Sequence, residues 1–162
     1  MKTAFLSLGS NLGDRTANLR QALAAMEAAG VHAIKQSSVY ETEPQDLRNQ
    51  PWFLNLVVQV QTTLFPLQLL HLLQKIELAL GRRRAQAKGP RSIDIDILLF
   101  SRFVVESAEL EVPHPRMHLR RFVLEPLAEI APEVRHPVLR KTAEELLAGL
   151  SGQKVAKTDI AW

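Results

Sequence analysis

The sequence predicts an α+β fold: an antiparallel sheet on the ferredoxin-like β-α-β-β-α-β plan, with helices on one face and further elements appended at the C-terminal end. Three observations carry this reading. Trp52–Thr63 and the tail of "GPRSIDIDILLF" alternate with the period of a strand. Leu19, Leu23 and Met26, and again Leu69, Leu73, Ile76 and Leu80, recur at helical spacing. Each helical stretch lies between two strand-like ones. No repeat, linker or low-complexity tract divides the 162 residues, so residues 1–162 read as a single domain.

In chain order, Thr3–Gly9 alternates as a strand. Asp14 stands at a helix N-cap, and the helix it opens ends at Gly30. Val31–Thr42 is rich in β-branched residues and reads as one second strand. "EPQDLRNQP" has Pro44 and Pro51 near its ends and no periodicity, which makes it a long loop. In the third strand Leu54, Leu56, Val58 and Val60 form one face, and Phe53, Asn55, Val57, Gln59 and Gln61 form the other. Pro66 suits the first position of a helix that runs to about Leu80, with Gly81 as its C-cap. A basic loop and the aspartate-bearing strand follow. Then come an irregular or short-strand stretch to Val112, the "PHPR" turn, a short helix over Leu124–Ile130 stopped by Pro132, and a final helix opened by a capping box at Thr142.

Composition excludes several chemistries. With no cysteine there is no disulfide framework, thiolate zinc site or cysteine nucleophile. The short apolar run at the N-terminus, broken by Gly9 and Asn11, is too short for a signal segment. No run approaches a membrane span, so we expect a cytoplasmic protein without a membrane partner. The formal net charge is +3, and its distribution says more than its size. "GRRRAQAKGPR" gathers Arg82, Arg83, Arg84, Lys88 and Arg91 with no acid, and "HPRMHLRR" gathers His114, Arg116, His118, Arg120 and Arg121. Such loops suit phosphate-bearing ligands, and equally a solvated basic surface.

Asp94 and Asp96 are two apart in a strand, so they share a face about 6.5–7 Å apart along the chain while isoleucines anchor the other face. Adjacent carboxylates repel unless a cation compensates. Oxygen ligands suit hard divalent ions, and a pair of such ions could bridge them. The alternative is a solvent-facing pair satisfied by arginines. Metal and guanidinium groups converging on one spot would neutralise a polyphosphate. The Gly-x4-Gly-Lys-Ser/Thr loop and the protein-kinase signatures are both absent. Beside Phe53, the amide of Asn55 could hold a flat heterocycle by stacking and paired hydrogen bonds, or simply satisfy neighbouring backbone. His114 and His118 without further ligands make a weak zinc site, and His71 reads as an exposed helix residue.

Taken together, "LGSNLGD", "SSVYETEP", "PWFLN", "IELALGRRR", "GPRSIDIDILLF", "VPHPR" and "RRFVLEPLAEIAP" resemble, in this order, the 6-hydroxymethyl-7,8-dihydropterin pyrophosphokinases of the folate pathway. The resemblance runs from about Thr3 to Pro132. It implies transfer of pyrophosphate from ATP to the pterin hydroxymethyl group with release of AMP. By match to the motifs, Asp94 and Asp96 would bind two Mg²⁺, with Asp94 also orienting the hydroxyl. Phe53 and Phe122 would sandwich the pterin, Asn55 would hydrogen-bond it, and Thr42 with the following loop would meet its edge. Glu77, Arg84 and the backbone around Ile97 would surround the nucleotide, while Arg82, Arg91, His114 and Arg120 would contact phosphates. Catalysis would rest on Arg82, Arg91, Asp94 and Asp96. The loops Pro44–Gln50 and Arg82–Lys88 would flank the site and close over ATP.

The chain departs from the family pattern in places. Lys88 stands where many relatives have tryptophan, Glu43 where many have a second proline, and Phe53 replaces a tyrosine. Two other classes remain to be weighed. An RNA-binding sheet would display an aromatic run rather than paired aspartates. A metal-dependent nuclease could use the aspartates and His114 but would need no Asn55 pocket. We expect small-molecule substrates, no nucleic-acid partner and a monomer.

Overall fold

The computed structural model describes residues 1–44, 49–81 and 92–161. The elements in order are β1 (Lys2–Ser10), α1 (Arg15–Ala28), β2 (His32–Gln36), β3 (Tyr40–Thr42), β4 (Phe53–Thr62), α2 (Pro66–Ala79), β5 (Asp94–Phe100), β6 (Val105–Glu106), β7 (Glu111–Val112), α3 (Arg121–Ile130), α4 (Ala143–Ala148) and β8 (Val155–Lys157). A short 3₁₀ turn spans Met117–Leu119. Among the described residues, no helix is long and apolar enough to cross a membrane.

The six-stranded sheet runs β5-β1-β4-β3-β8, with β2 also on β4, and every pairing in it is antiparallel. This is the strand order of the ferredoxin-like plan. The helix ends follow local chemistry. Asp14 accepts a hydrogen bond from Ala17 N at 3.0 Å and starts α1. Pro66 occupies the first turn of α2, where Gln68 Oε1 accepts from Phe65 N at 2.9 Å. Gly81, one residue beyond the cap Leu80, adopts φ +93°, a conformation that favours glycine and stops the helix.

One sheet face carries Leu6, Leu8, Leu56, Val58, Ile95 and Ile97, packed against Leu19 and Met26 of α1 and Leu69, Leu73 and Ile76 of α2. Each such fully buried leucine or isoleucine contributes about 2 kcal/mol of transfer free energy. Helices are not confined to that face. The appended elements cover the other one, where Phe5, Val57 and Leu99 pack against Val123, Leu124 and Leu127 of α3, with α4 behind them. Toward one end of this second face the apolar residues give way to Ser7, Gly9, Asn55, Asp94 and Asp96, in register across β4, β1 and β5.

Three local readings of the sequence change, and the short-strand alternative for the stretch to Val112 holds. Val31–Thr42 is two strands, because Ser37 breaks the run: its Oγ accepts from Val57 N at 2.9 Å and donates to Ser38 O at 2.7 Å. A serine that serves the ladder through its side chain leaves room for an extra residue before β3 resumes. The stretch to Val112 contains the two-stranded β6–β7 ribbon. The helix read from Leu124 begins at Arg121, since extended Arg120 already accepts from Leu124 N at 3.0 Å. β8, with a pattern too short to register, pairs with β3 through Thr42↔Val155.

α3 is tied to the sheet edge by Glu129. Its carboxylate accepts from Tyr40 Oη at 2.8 Å, Ser38 N at 2.9 Å and Ser38 Oγ at 2.7 Å, and lies 3.6 Å from Lys157 Nζ. Burial alone would raise this carboxyl's pKa, but the hydrogen bonds from Ser38 and Tyr40 outweigh it and lower the pKa. Glu129→Ala should therefore cost about 2 kcal/mol in urea unfolding, and Tyr40→Phe, which keeps the Ser38 bonds, about 1 kcal/mol. Equal losses from the two would show that the carboxylate is not the hub.

Candidate active site

The site is built from the polar end of the second face. Asp94 pairs with Gly9, which pairs with Asn55, which pairs with Tyr40, so four residues of four strands form one rank across the sheet. One step along, Asp96 pairs with Ser7 and Ser7 with Val57. Asp94 and Asp96 are half-buried and alternate with buried Ile93, Ile95 and Ile97, so the side-by-side aspartates expected from the sequence are present. Gly9 matters by what it lacks. A Cβ there would lie 2.5 Å from Asn55 Oδ1 and 3.3 Å from Phe53 Cδ1, so the amide carbonyl occupies the space over the glycine. Buried Asn55 donates through Nδ2 to Thr42 Oγ1 at 2.6 Å, which fixes the direction of the amide.

Phe53 is half-buried on the same face as Asn55, two residues before it. Phe122, in the first turn of α3, packs against the cluster of Phe5 and Val57, and the Arg120 guanidinium lies 5.4 Å from its ring centroid. The aromatic pair and the amide expected for a flat ring thus stand on one side of the sheet.

β5 is an edge strand, and its backbone is held from outside. Glu77 of α2 is buried, and its Oε2 accepts from Ile95 N, between the two aspartates, at 2.8 Å. Ile97 is buried on the face opposite the aspartates. A bulge in the β1–β5 register at Phe5/Leu6 makes Leu98 the extra residue, and its carbonyl accepts from His114 N at 2.9 Å. That bond brings the turn after β7 to the aspartates. Burial, then Arg120 and Arg116, push the His114 imidazole down from the ordinary 6.5 to about 4, against the pull of Asp94. Its Nδ1 accepts from Arg116 N at 3.1 Å, which puts the proton of the neutral ring on Nε2. His118 lies near His136 instead, with ring centroids 6.3 Å apart. His71 is exposed and bonds Glu109 at 2.7 Å.

Arg82, Arg84, Arg91 and Lys88 lie outside the described residues, as do Gln45–Arg48 of the long loop and the expected closure of both loops. What bounds the long loop is clear. Asn11 Nδ2 donates to Gln50 Oε1 at 2.8 Å and to Pro51 O at 3.0 Å, and Arg15 Nη1 donates to Trp52 O at 3.0 Å. At the other end, Gln153 Nε2 donates to Glu43 O at 2.9 Å. Sequence reasoning assigned no role to Gly9, Asn11 or Gln153. The "LGSNLGD" motif carried the first two, but nothing marked the third.

Two carboxylates on one face form an all-oxygen donor set suited to a hard cation, and no third carboxylate or imidazole joins them among the described residues. That fits Mg²⁺, which keeps several waters and takes its remaining ligands from substrate phosphates.

Comparison with known proteins agrees with this geometry. The model of the family described as 7,8-dihydro-6-hydroxymethylpterin-pyrophosphokinase matches residues 5–132. The 2-amino-4-hydroxy-6-hydroxymethyldihydropteridine pyrophosphokinase of Bacillus subtilis is 52% identical over 132 residues, which cover 81% of this chain and 79% of that one. The enzyme of the same name from Aquifex aeolicus is 42% identical over 145 residues, 90% of each chain. Among solved structures, wild-type Plasmodium falciparum HPPK-DHPS with pteroate shares the fold at a TM-score of 0.76 and 20% identity, over 91% of this chain and 44% of that chain.

The His114 environment makes a pH prediction. Because its folded pKa lies below the unfolded value, the associated stability is fully present above about pH 6.5 and is lost as pH falls toward 4. The His114 Cε1–H resonance should titrate with a midpoint near 4 in ligand-free protein. A midpoint near 6.5 would mean an exposed ring and a different turn geometry.

Proposed function

The chain belongs to the 7,8-dihydro-6-hydroxymethylpterin-pyrophosphokinase family, and from that premise we propose which of its groups do the work. The reaction is transfer of pyrophosphate from ATP to 6-hydroxymethyl-7,8-dihydropterin in folate biosynthesis, giving the pterin diphosphate and AMP. The hydroxyl oxygen bonds to the β-phosphorus, the bond from that phosphorus to the α-phosphate oxygen breaks, and the hydroxyl proton leaves.

The pterin lies between Phe53 and Phe122 and meets the Asn55 amide, whose direction Thr42 holds. Asp94, in the same rank as Asn55, reaches the hydroxymethyl group and orients its oxygen toward phosphorus. Asp94 and Asp96 would hold two Mg²⁺, which would neutralise the polyphosphate and polarise its oxygens. Neutral His114 donates its Nε2–H to a phosphate oxygen, and Arg120 adds charge beside it. Glu77 holds β5 through Ile95 N, and the backbone at Ile97 lies along the same edge toward the nucleotide. From the resemblance, Arg82, Arg84 and Arg91 would supply further phosphate and nucleotide contacts. Both walls and both carboxylates come from one chain, which supports a monomer working as one domain over residues 1–162; we place it in the cytoplasm. The observation that carries this reading is the rank Asp94–Gly9–Asn55, which sets the metal carboxylate beside the ring-binding amide. A nuclease or an RNA-binding sheet has no use for that juxtaposition.

Incubation with Mg²⁺ and ATP should yield AMP, not ADP, and only when the pterin is present. Asp96→Ala should lower kcat about a hundredfold or more, because a metal ligand is gone; near wild-type turnover would remove the metal assignment. Asn55→Ala should weaken pterin binding about tenfold and leave ATP affinity within twofold. Parallel loss of both affinities would indicate a folding defect.

A further inference from the structure

Gln153 lies in the segment between α4 and β8, beyond the residues matched by the family. It is a buried amide with both ends in use. Nε2 donates to Glu43 O at 2.9 Å, and Oε1 accepts from Phe122 N at 3.1 Å. Glu43 follows Thr42, the partner of Asn55, and begins the long loop. Phe122 is the aromatic wall on α3. One side chain therefore ties the start of the loop expected at the pterin's edge to the Phe122 wall.

The backbone around it reinforces the span. Glu43 N donates to Lys154 O at 3.2 Å, Lys154 N donates to Glu43 Oε1 at 3.0 Å, and Arg121 Nη1 donates to Gln153 O at 3.3 Å. A proline at position 43 could not supply the first of these bonds, and an alanine could not supply the second. A carboxamide offers a donor and an acceptor in one planar group, whereas neither an ionised Glu nor Met can satisfy both Glu43 O and Phe122 N.

We propose that Gln153 is a positioning residue for the pterin half of the active site, setting the separation between the loop that follows Thr42 and the Phe122 ring. The proposal rests on the reading that places the pterin between Phe53 and Phe122, with the loop after Thr42 at its edge. Because the aspartates and Glu77 are held by β1, β5 and α2, Gln153 has no comparable hold on the nucleotide half.

The test is Gln153→Met, which keeps the volume and removes both hydrogen bonds. Binding is measured by calorimetry, with 6-hydroxymethyl-7,8-dihydropterin titrated in the presence of Mg²⁺ and a non-hydrolysable ATP analogue, and with the analogue alone. Thr158→Ala serves as the matched control, since it loosens the anchorage of β8 at Val39 O without touching Gln153. Gln153→Met should raise the pterin Kd about tenfold and leave the analogue Kd within twofold. Thr158→Ala, compared at equal loss of Tm, should change neither. Should Gln153→Met not fold, Gln153→Glu is read in the same way, since it keeps the acceptor for Phe122 N and lacks the donor for Glu43 O. An unchanged pterin Kd, an equal weakening of both ligands, or an equal pterin effect from Thr158→Ala would overturn the proposal. Failure of the unsubstituted protein to bind the pterin at all would overturn the underlying site assignment instead, and this proposal with it.

Discussion

The antiparallel register of β1 with its two neighbours is the constraint on which the site depends. β1 lies between β4 and β5, so its alignment alone decides which residue of one outer strand faces which residue of the other. With Gly9 opposite both Asn55 and Asp94, a buried amide and a half-buried carboxylate fall in one rank. A slip of one residue in either pairing would turn Asn55 or the aspartates toward the α1–α2 layer and bury charge among leucines. The apolar alternation that fills that layer therefore also fixes the geometry of the candidate site. Gly9 adds a local condition, because any side chain there would take the space that the Asn55 carbonyl fills.

An edge strand that bears two carboxylates needs support from outside the sheet, and β5 receives it twice. Glu77 caps the outward N–H of Ile95, at the cost of burying a carboxylate that the backbone bond partly compensates. The Leu98 bulge turns another backbone group outward, and His114 takes it. Both devices address the same problem, unpaired polar backbone at an edge, and both leave functional groups at the aspartates. Burial among cations then keeps His114 neutral, so the ring carries an Nε2–H rather than a charge.

The framework and the shared face of the two aspartates were legible in the sequence because they follow periodicity. Ile93, Ile95 and Ile97 alternating with Asp94 and Asp96 dictate which face each residue takes, and the helix ends at Asp14, Pro66, Gly81 and Thr142 carry local signals. The break at Ser37 was not legible, because a serine serving the ladder through its Oγ looks like any polar residue in a strand. Nor was the second helical layer, since the sequence of α3 says that it has an apolar face but not which sheet face will meet it. Gln153 was invisible for a related reason. Its two partners lie 110 and 31 residues away, and a lone glutamine in a polar segment has no pattern to betray them.

The two halves of the site are thus built by different parts of the chain. The carboxylate half belongs to β1, β5 and α2, within the span shared with the family. The half proposed for the ring takes Phe53, Asn55, the start of the long loop and α3 from that span, but depends on the C-terminal segment beyond it to tie the loop to α3. Glu43 shows how a departure from the family pattern can be absorbed. Where the family resemblance implies a second proline, this chain has a residue with an N–H and a carboxylate, and residues 153 and 154 use both together with its carbonyl. The loop entrance is thereby fixed by hydrogen bonds to a neighbouring segment instead of by ring stiffness, so the same wall can stand on a different local sequence as long as that segment stays in place.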